Sequence, residues 1–471
     1  MPREMPRGMI IATPARPKLS RAALALACGL ATGLALASTS ARAQEKPKLS
    51  IVRDAEIEQL LRDYARPIFK AAGLNATRTR IVLINDRAFN AFVVDGKRVF
   101  VNTGTVIDSA TPNEVICVLA HEAGHIADGH LVRRAEVLNR AKYISIIGTL
   151  LGAGAAIGGA RSGQVSGNTG GAMTLGPSVA QRMLLSYQRG EEQAADRAGL
   201  RFLSMTHQSA AGFLTTFKRF SDQQLFLRSR VDPYLQSHPL APERIAGVER
   251  LARESPYFNK KDPPALQQRH DLARAKLIGF TGSADEIARR YPMRETGLPA
   301  QYARAIAAYR FGRIDDAQRQ IDALIRQQPR NAYFWELKGQ SLLENARAQQ
   351  AVAPLRKAVS LSRGQPLIRM LLGQALLSAD ARHADEALRE LTAALQADPD
   401  AMEGYRFLAQ AYAIKGNEPM AALVTAKGYA EAGNKLAAAQ VAKRAQAGLP
   451  RNSPGWRQAD DIIHLAKPEK D

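Results

Sequence analysis

His121, Glu122 and His125 are the residues whose types and spacing are best suited to chemistry, because they form an H-E-x-x-H pattern. On an α-helix, residues four apart lie about 40° apart around the axis, so both imidazoles face one point. That spacing suits a zinc ion, and Glu122 lies beside the pair, where its carboxylate can hold a water molecule. The pattern therefore predicts a zinc site with an adjacent base.

The residues around the pattern predict a single helix over 112–133. Thr111, Pro112 and Glu114 match a capping box with proline at the first helical position, and an apolar run at 115–120 follows. The alternative is a surface helix that carries two incidental histidines.

A catalytic zinc site needs a third protein ligand, and two nearby side chains are candidates. Cys117 shares a face with His121, but on a straight helix it lies about 12 Å from His125 along the axis. We therefore expect Cys117 in the core. His130 lies about 180° around the helix from His121, so we expect it to point away, as a surface or second-layer residue.

A carboxylate from a second helix is the remaining source of a ligand. A metzincin would need glycine and histidine where this chain has Asp128 and Leu131, so that class is excluded. Glu192 and Asp196 share one face of a helix predicted over 179–204. Glu192 could bind zinc while Asp196 accepts a hydrogen bond from a ligand histidine. From these residues alone, the stronger interpretation is that both are solvated charges on an exposed face.

The first 43 residues match a secretory signal peptide. A basic segment precedes an apolar run at 22–37, and Ala41-Arg42-Ala43 is a small-x-small cleavage site. We expect cleavage after Ala43 and export to the periplasm. A membrane anchor and a lipoprotein attached through Cys28 are the alternatives. After cleavage Cys117 is the single cysteine, so no internal disulfide is expected.

The chain is strongly basic, with a formal net charge of +21. Residues 1–43 contain six Lys/Arg and one Glu, so their removal would leave +16. That charge favours anionic partners, including peripheral contact with an anionic membrane. Nucleic acid is not expected as a partner of an exported chain. Colloidal solubility alone is the alternative explanation.

The segments before the pattern predict a small sheet beside the metal-site helix. Residues 54–72 form an amphipathic helix pattern, and 79–85 read as a strand. Strand patterns at 90–94 and 98–102 flank Asp95-Gly96-Lys97, which is typical of a hairpin. An edge strand here could pair with an extended peptide, although an ordinary structural hairpin fits equally well.

Between the two site helices lies a segment rich in small residues. Residues 143–160 are apolar and contain several glycines, and we expect a small-residue helix there. Residues 161–177 predict a flexible loop, which could serve as a lid or dip into a membrane.

From residue 298 onward the chain predicts an all-helical repeat. Small residues recur at intervals of 34, 34 and 36 residues, namely Ala305, Gly339, Gly373 and Ala409. This is the tetratricopeptide period, in which small residues let paired helices cross closely. Pro329, Pro366 and Pro399 are expected to end helices. The predicted organisation is a peptidase domain at 44–255, linking helices at 256–297 and a repeat solenoid at 298–471.

These motifs together resemble the gluzincin metallopeptidases of the HtpX and Ste24 type and their periplasmic relatives. The resemblance rests on His121-Glu122-x-x-His125, on Glu192-x-x-x-Asp196, on the hairpin near Asn90 and on the Ser237-His238-Pro239-Leu240 loop. With a signal peptide and C-terminal repeats, the chain is similar to the BepA-like proteases of outer-membrane assembly. A mostly α fold with an α+β peptidase domain is expected.

The resemblance implies a role for each matching residue. His121, His125 and Glu192 would bind one zinc ion per chain, and Glu122 would act as general base and then proton donor. Asp196 would support a ligand histidine. His238 would approach the open metal position, either as a fourth ligand that silences the site or as a hydrogen-bond donor to the transition state.

The expected function is a zinc endopeptidase of the periplasm. Its repeats would hold protein substrates, such as misassembled outer-membrane proteins, or contact their assembly machinery. The alternative is a repeat-based chaperone or assembly factor with a dormant, self-inhibited peptidase site.

Overall fold

A computed structural model describes residues 50–75, 78–94, 96–130, 133, 169–226, 234 and 237–465. The predicted signal peptide and the predicted small-residue helix at 143–160 lie outside the described residues. Within the described part of the chain, no helix combines the length and apolar character needed to cross a membrane.

The first half of the described chain contains a four-stranded sheet. Strands β2 and β4 run parallel at its centre, β1 pairs antiparallel with β2, and β3 pairs antiparallel with β4. Among the described strands, β3 therefore forms an edge. The predicted hairpin and small sheet are confirmed, with strands β1 (Ile51–Val52), β2 (Arg80–Ile84), β3 (Ala91–Val93) and β4 (Arg98–Asn102).

Helices surround a central helix that carries the H-E-x-x-H pattern. This helix, α3, is buried at every residue from Pro112 to His125 and packs against α1, α4, α5 and β3. Its apolar sequence explains this position, since a helix that is hydrophobic on all sides belongs in a core. The helices of this half are α1 (Ala55–Ala71), α2 (Thr103–Asp108), α3 (Pro112–Ala127), α4 (Thr169–Met205), α5 (Ala211–Phe226) and α6 (Pro242–Glu254).

The prediction of a capping box at the start of α3 is wrong, because Thr111 and Glu114 do not make the hydrogen bonds that it requires. Among the described residues, Thr111 makes no side-chain capping hydrogen bond. Glu114 instead accepts a hydrogen bond from the backbone N–H of Ala110 and another from Arg219. A half-buried arginine thus holds the carboxylate that local sequence assigned to the cap.

The ends of the site helices also differ from the prediction. Helix α3 ends at Ala127 rather than at 133, because Gly129 takes a left-handed conformation with φ of +65°. Helix α4 begins at Thr169, so residues 169–177 are helical and not part of a loop. Its glycines weaken helix propensity, which is why sequence placed the start ten residues later.

The second half is the predicted repeat array of paired helices, and the mostly α fold is confirmed. Pro366 stands in the first turn of its helix instead of ending one. The helices are α7 (Pro264–Thr281), α8 (Ala284–Arg290), α9 (Leu298–Arg310), α10 (Ile314–Gln327), α11 (Ala332–Glu344), α12 (Ala348–Leu361), α13 (Pro366–Ala379), α14 (Ala384–Ala397), α15 (Met402–Ile414), α16 (Glu418–Glu431), α17 (Lys435–Gly448) and α18 (Pro454–Leu465).

Two glycines of the repeat have the packing role that their spacing predicted. A Cβ added at Gly339 would lie 2.3 Å from Leu355 Cγ, and one at Gly373 would lie 2.5 Å from Leu391 Cγ. The paired helices therefore cross too closely for any larger residue.

The two halves share a continuous junction. Helix α7 packs against α9 of the repeats and also against α1, α2 and α3 of the peptidase half. Helix α13, farther along the repeats, contacts α1 as well. The segment predicted as linking helices is thus a structural element common to both halves.

Candidate metal centre

Two glycines bring the site helices α3 and α4 together. A Cβ at Gly124 would lie 2.8 Å from the Ala195 carbonyl oxygen, and one at Gly199 would lie 3.2 Å from the Ala120 carbonyl carbon. This close crossing places the imidazoles of α3 directly opposite the carboxylates of α4. Gly124 is itself one of the two unspecified positions in the H-E-x-x-H pattern.

Four buried side chains converge where the helices cross, namely His121, His125, Glu192 and His238. Nε2 of His121 lies 3.1 Å from Nε2 of His125 and 3.2 Å from Nδ1 of His238. Glu192 Oε1 lies 3.1 Å from His238 Nδ1 and 3.4 Å from His125 Nε2. Its Oε2 lies 3.4 Å from His121 Nε2.

These spacings fit a metal ion. Four ligands arranged tetrahedrally around zinc, at about 2.0–2.1 Å from it, stand roughly 3.3 Å from one another. The five distances given above span 3.1–3.4 Å. Imidazole nitrogens and a carboxylate are also a donor set typical of zinc. The cluster is therefore compatible with a metal ion.

Glu122 provides an independent indication of a missing partner. Its side chain is fully buried, and within the described part of the chain neither carboxylate oxygen has a hydrogen-bond partner. A buried carboxylate without partners is costly unless a ligand satisfies it. His238 Nε2 lies 3.4 Å from Glu122 Oε1, so this carboxylate faces the same cluster.

Each histidine of α3 is supported on its other ring nitrogen. His121 Nδ1 lies 2.9 Å from Asp196 Oδ1, the position predicted for a supporting carboxylate. His125 Nδ1 lies 2.8 Å from Nδ1 of His130, which is buried. The expectation that His130 points away is wrong, because α3 ends at Ala127 and the following turn folds His130 back. The alternative that His130 is a second-layer residue is confirmed, since it lies behind His125.

The surroundings set the protonation states of the site residues. Burial lowers the pKa of His125 to about 3, so its imidazole is neutral. Burial also opposes a charge on His121, but hydrogen bonds with Asp196 and Glu192 raise its pKa to about 9. Burial raises the pKa of Glu122. Glu192 stays ionised, because its histidine partners outweigh burial and hold its pKa well below the usual range.

Sequence reasoning assigned no role to Arg244, which the structure places against both carboxylates of α4. It lies in the first turn of α6, is buried, and contacts Glu192 and Asp196. A usable indication existed, since a cation in the first helical turn opposes the helix macrodipole and implies a compensating anion. Cys117 is buried, as predicted, 3.8 Å from Asn113 Oδ1 and from the Ser209 carbonyl oxygen.

Comparison with known proteins agrees with this arrangement. The family model for peptidase family M48 matches residues 52–252, which include α3, α4 and the His238 loop. Residues 52–252 are a domain of peptidase family M48. A tetratricopeptide-repeat model matches residues 302–366, after the M48 domain. The chain is thus a metalloprotease with C-terminal repeats.

Known relatives are similar to this chain over both the M48 domain and the repeats. A beta-barrel assembly-enhancing protease of Yersinia pestis is 27% identical over 73% of this chain and 70% of its own length. One from Escherichia coli strain K12 is 26% identical over 81% of this chain and 77% of its own length. The similarity therefore extends from the M48 domain into the repeats.

Proposed function

We propose that this protein is a zinc endopeptidase in which His121, His125 and Glu192 hold the metal. The observation that carries the proposal is the convergence of their donor atoms at spacings that suit tetrahedral zinc. Asp196 fixes the orientation of His121 through its Nδ1. These three residues would bind one zinc ion per chain.

In the proposed mechanism, zinc supplies Lewis acidity, which polarises a carbonyl and activates water at neutral pH. Glu122 is the general base. Its buried, unpartnered carboxylate takes a proton from the attacking water and then delivers it to the leaving amine. The raised pKa of Glu122 suits this double role, since the group must both accept and release a proton.

The edge strand β3 is the proposed support for the substrate backbone. His238 Nε2 lies 3.2 Å from the Ala91 carbonyl oxygen, so β3 reaches the cluster. An extended peptide added along such an edge would bring its backbone next to Glu122. The preference for particular side chains in the substrate would then come from the protein surface around β3 and not from the hydrolysis step itself.

Glu122→Gln tests the chemical assignment. We expect loss of cleavage of an unfolded outer-membrane β-barrel protein by roughly 10²–10⁴-fold, with zinc content unchanged. Glu254→Gln, at an exposed position on α6, is the matched control and should retain full activity. Turnover near the wild-type rate in Glu122→Gln, or wild-type protein that contains no zinc, would contradict the proposal.

We place this activity in the periplasm, in the assembly or quality control of outer-membrane proteins. Support comes from the names of the relatives, beta-barrel assembly-enhancing proteases, and from the secretory pattern of residues 1–43. The repeats would hold misassembled substrates or contact the assembly machinery. The basic net charge favours additional peripheral contact with anionic membrane.

A second candidate function is a repeat-based chaperone or assembly factor whose peptidase site is self-inhibited. The position of His238 favours this state, because its Nδ1 completes the four-donor cluster while its Nε2 contacts the edge strand. His238 would then occupy both the fourth metal position and the place of a substrate. The other role implied for His238, hydrogen bonding to the transition state, requires the loop to move first.

His238→Ala separates these roles for the loop histidine. Self-inhibition predicts faster cleavage by His238→Ala than by wild type, whereas a transition-state role predicts slower cleavage. His464→Ala, at an exposed position on α18, is the control. Rescue of an outer-membrane assembly defect by Glu122→Gln would favour the chaperone function over proteolysis.

A further inference from the structure

The buried guanidinium of Arg244 touches two of the site carboxylates and the loop that carries His238. Its Nε and Nη2 donate to Asp196 Oδ2 and Oδ1 at 2.5 and 2.9 Å. Its Nη1 lies 2.8 Å from Glu192 Oε2 and donates to the Pro239 carbonyl oxygen at 3.2 Å. The guanidinium carbon lies 5.2 Å from the centre of the Phe217 ring.

This arrangement depends on the planar, forked shape of the guanidinium as well as on its charge. Two parallel hydrogen bonds fix the plane of the Asp196 carboxylate, which in turn fixes His121. The third nitrogen, Nη1, lies 2.8 Å from Oε2 of Glu192 and so holds that carboxylate as well. A lysine would offer a single point charge and could not make these contacts together.

We propose that Arg244 is a positioning residue for the metal site, which orients Glu192 and, through Asp196, His121. The inference rests on the proposed zinc site. Arg244 touches neither the substrate nor the reacting atoms, so it acts through the ligands. By its contact with Pro239 it also connects the ligand geometry to the position of the His238 loop.

If Arg244 acted only through its charge, removing it would change zinc affinity in the opposite direction, and this difference provides a test. The three buried carboxylates, Glu122, Glu192 and Asp196, would be balanced by Arg244 together with a divalent ion. If Arg244 acted only as a nearby cation, its removal would leave a more negative site and tighten zinc binding. If it orients the ligands, removal weakens zinc binding, because misplaced donors no longer converge.

The experiment measures zinc affinity of the full chain by competition with a colorimetric chelator, for wild type, Arg244→Lys and Arg244→Gln. Arg250→Lys, on the exposed face of the same helix, is the matched control. We expect a loss of about 10–100-fold in affinity for both Arg244 variants and no change for the control. Cobalt-substituted Arg244→Lys should also show an altered visible spectrum, which reports the ligand geometry.

Several outcomes would overturn the inference. Unchanged or tighter zinc binding by Arg244→Gln would do so, as would full recovery of affinity and of the cobalt spectrum in Arg244→Lys. A purely structural role for Arg244 would also contradict it. In that case the Arg244 variants would unfold at a lower temperature than wild type in chelator, while their zinc affinity would stay at the wild-type value. Failure of wild type itself to bind zinc would instead contradict the proposed function.

Discussion

Two clusters of buried charged groups can be compared, the metal centre and a second cluster at the junction of the two halves. In the second, Lys276 Nζ lies 2.8 Å from Asp54, 3.4 Å from Glu56 and 3.6 Å from Glu336. Tyr302 donates to Glu56 at 3.0 Å. The chain itself supplies the central cation here, whereas at the metal centre the donor atoms of four side chains converge on one point.

This difference separates a structural cluster from one built for a ligand. The junction cluster joins α1 of the peptidase half to α7 and to α11 of the repeats, so its ion pairs hold the two halves together. At the metal centre, the converging imidazoles and Glu192 are instead compatible with an external metal ion, and Glu122 faces that point. Buried charge is thus present in both, but of the two only the junction cluster has a lysine of the chain as its central cation.

The strongest test of the comparison removes the internal cation. Lys276→Met should lower the free energy of unfolding by about 3–5 kcal/mol, because it leaves buried carboxylates without their partner. Urea denaturation measures the effect, and chelator should not change its size. Lys357→Met, at an exposed position of α12, is the control. A loss similar to that of the control would show that the junction does not depend on the ion pairs.

Removing the external cation should have the next largest effect. Zinc at about 100–1,000 times its dissociation constant stabilises the folded chain by about 3–4 kcal/mol. We therefore expect chelator to lower the melting temperature of wild type, and to leave that of Glu192→Gln almost unchanged because a ligand is missing. Equal responses of the two proteins to chelator would remove Glu192 from the ligand set.

The junction cluster also predicts a dependence of stability on pH. Burial raises the pKa of Glu336 to about 7 despite the opposing charge of Lys276, and Glu56 is shifted in the same direction. The folded state therefore holds protons that the unfolded chain releases at lower pH. Stability should be highest below pH about 4.5 for this group and fall by about 3 kcal/mol as pH rises to about 7.

Glu336→Gln isolates this contribution. The neutral amide should flatten the decline in unfolding free energy between pH 5 and 7, measured by urea denaturation at each pH. Tyr302 and Tyr333 remain around Lys276 in the variant, and burial raises the pKa of both above this range. A slope identical to that of wild type would assign the dependence to other groups.

The smallest effect is expected where charge is exposed. Arg356 pairs with Glu386 through two contacts of 2.8 and 2.5 Å on the repeat surface. Solvent screens such a pair, so Glu386→Gln should change the free energy of unfolding by no more than about 1 kcal/mol, and less in high salt. A loss as large as that of Lys276→Met would mean that burial does not explain the difference between the clusters.

Features that depend on local spacing were predictable from residue order. The face shared by His121 and His125 follows from the helical repeat, and the small residues of the repeats follow from a period near 34. Close approach at Gly339 and Gly373 confirms that period as a packing requirement. The sheet and hairpin could likewise be predicted from the sequence, because strand alternation and turn residues are local properties.

Features that depend on where a helix ends were predicted less well. Helix α3 stops six residues before the predicted end, and the resulting turn brings His130 onto His125. Helix propensity over a few residues is too weak to locate such an end. The capping box was also predicted wrongly, since Glu114 accepts hydrogen bonds from the Ala110 N–H and from Arg219, which is distant in sequence.

The chain order alone predicted a metal-binding pair and a base, because three neighbouring residues on one helix need no other element to share a face. Only the tertiary structure brought Asp196, 75 residues away, to His121, and Arg244 to Asp196. Contacts between distant segments follow from helix crossings that glycines permit, and no local periodicity encodes them. The positions of the proposed third ligand, and of the arginine proposed to orient it, are therefore products of packing.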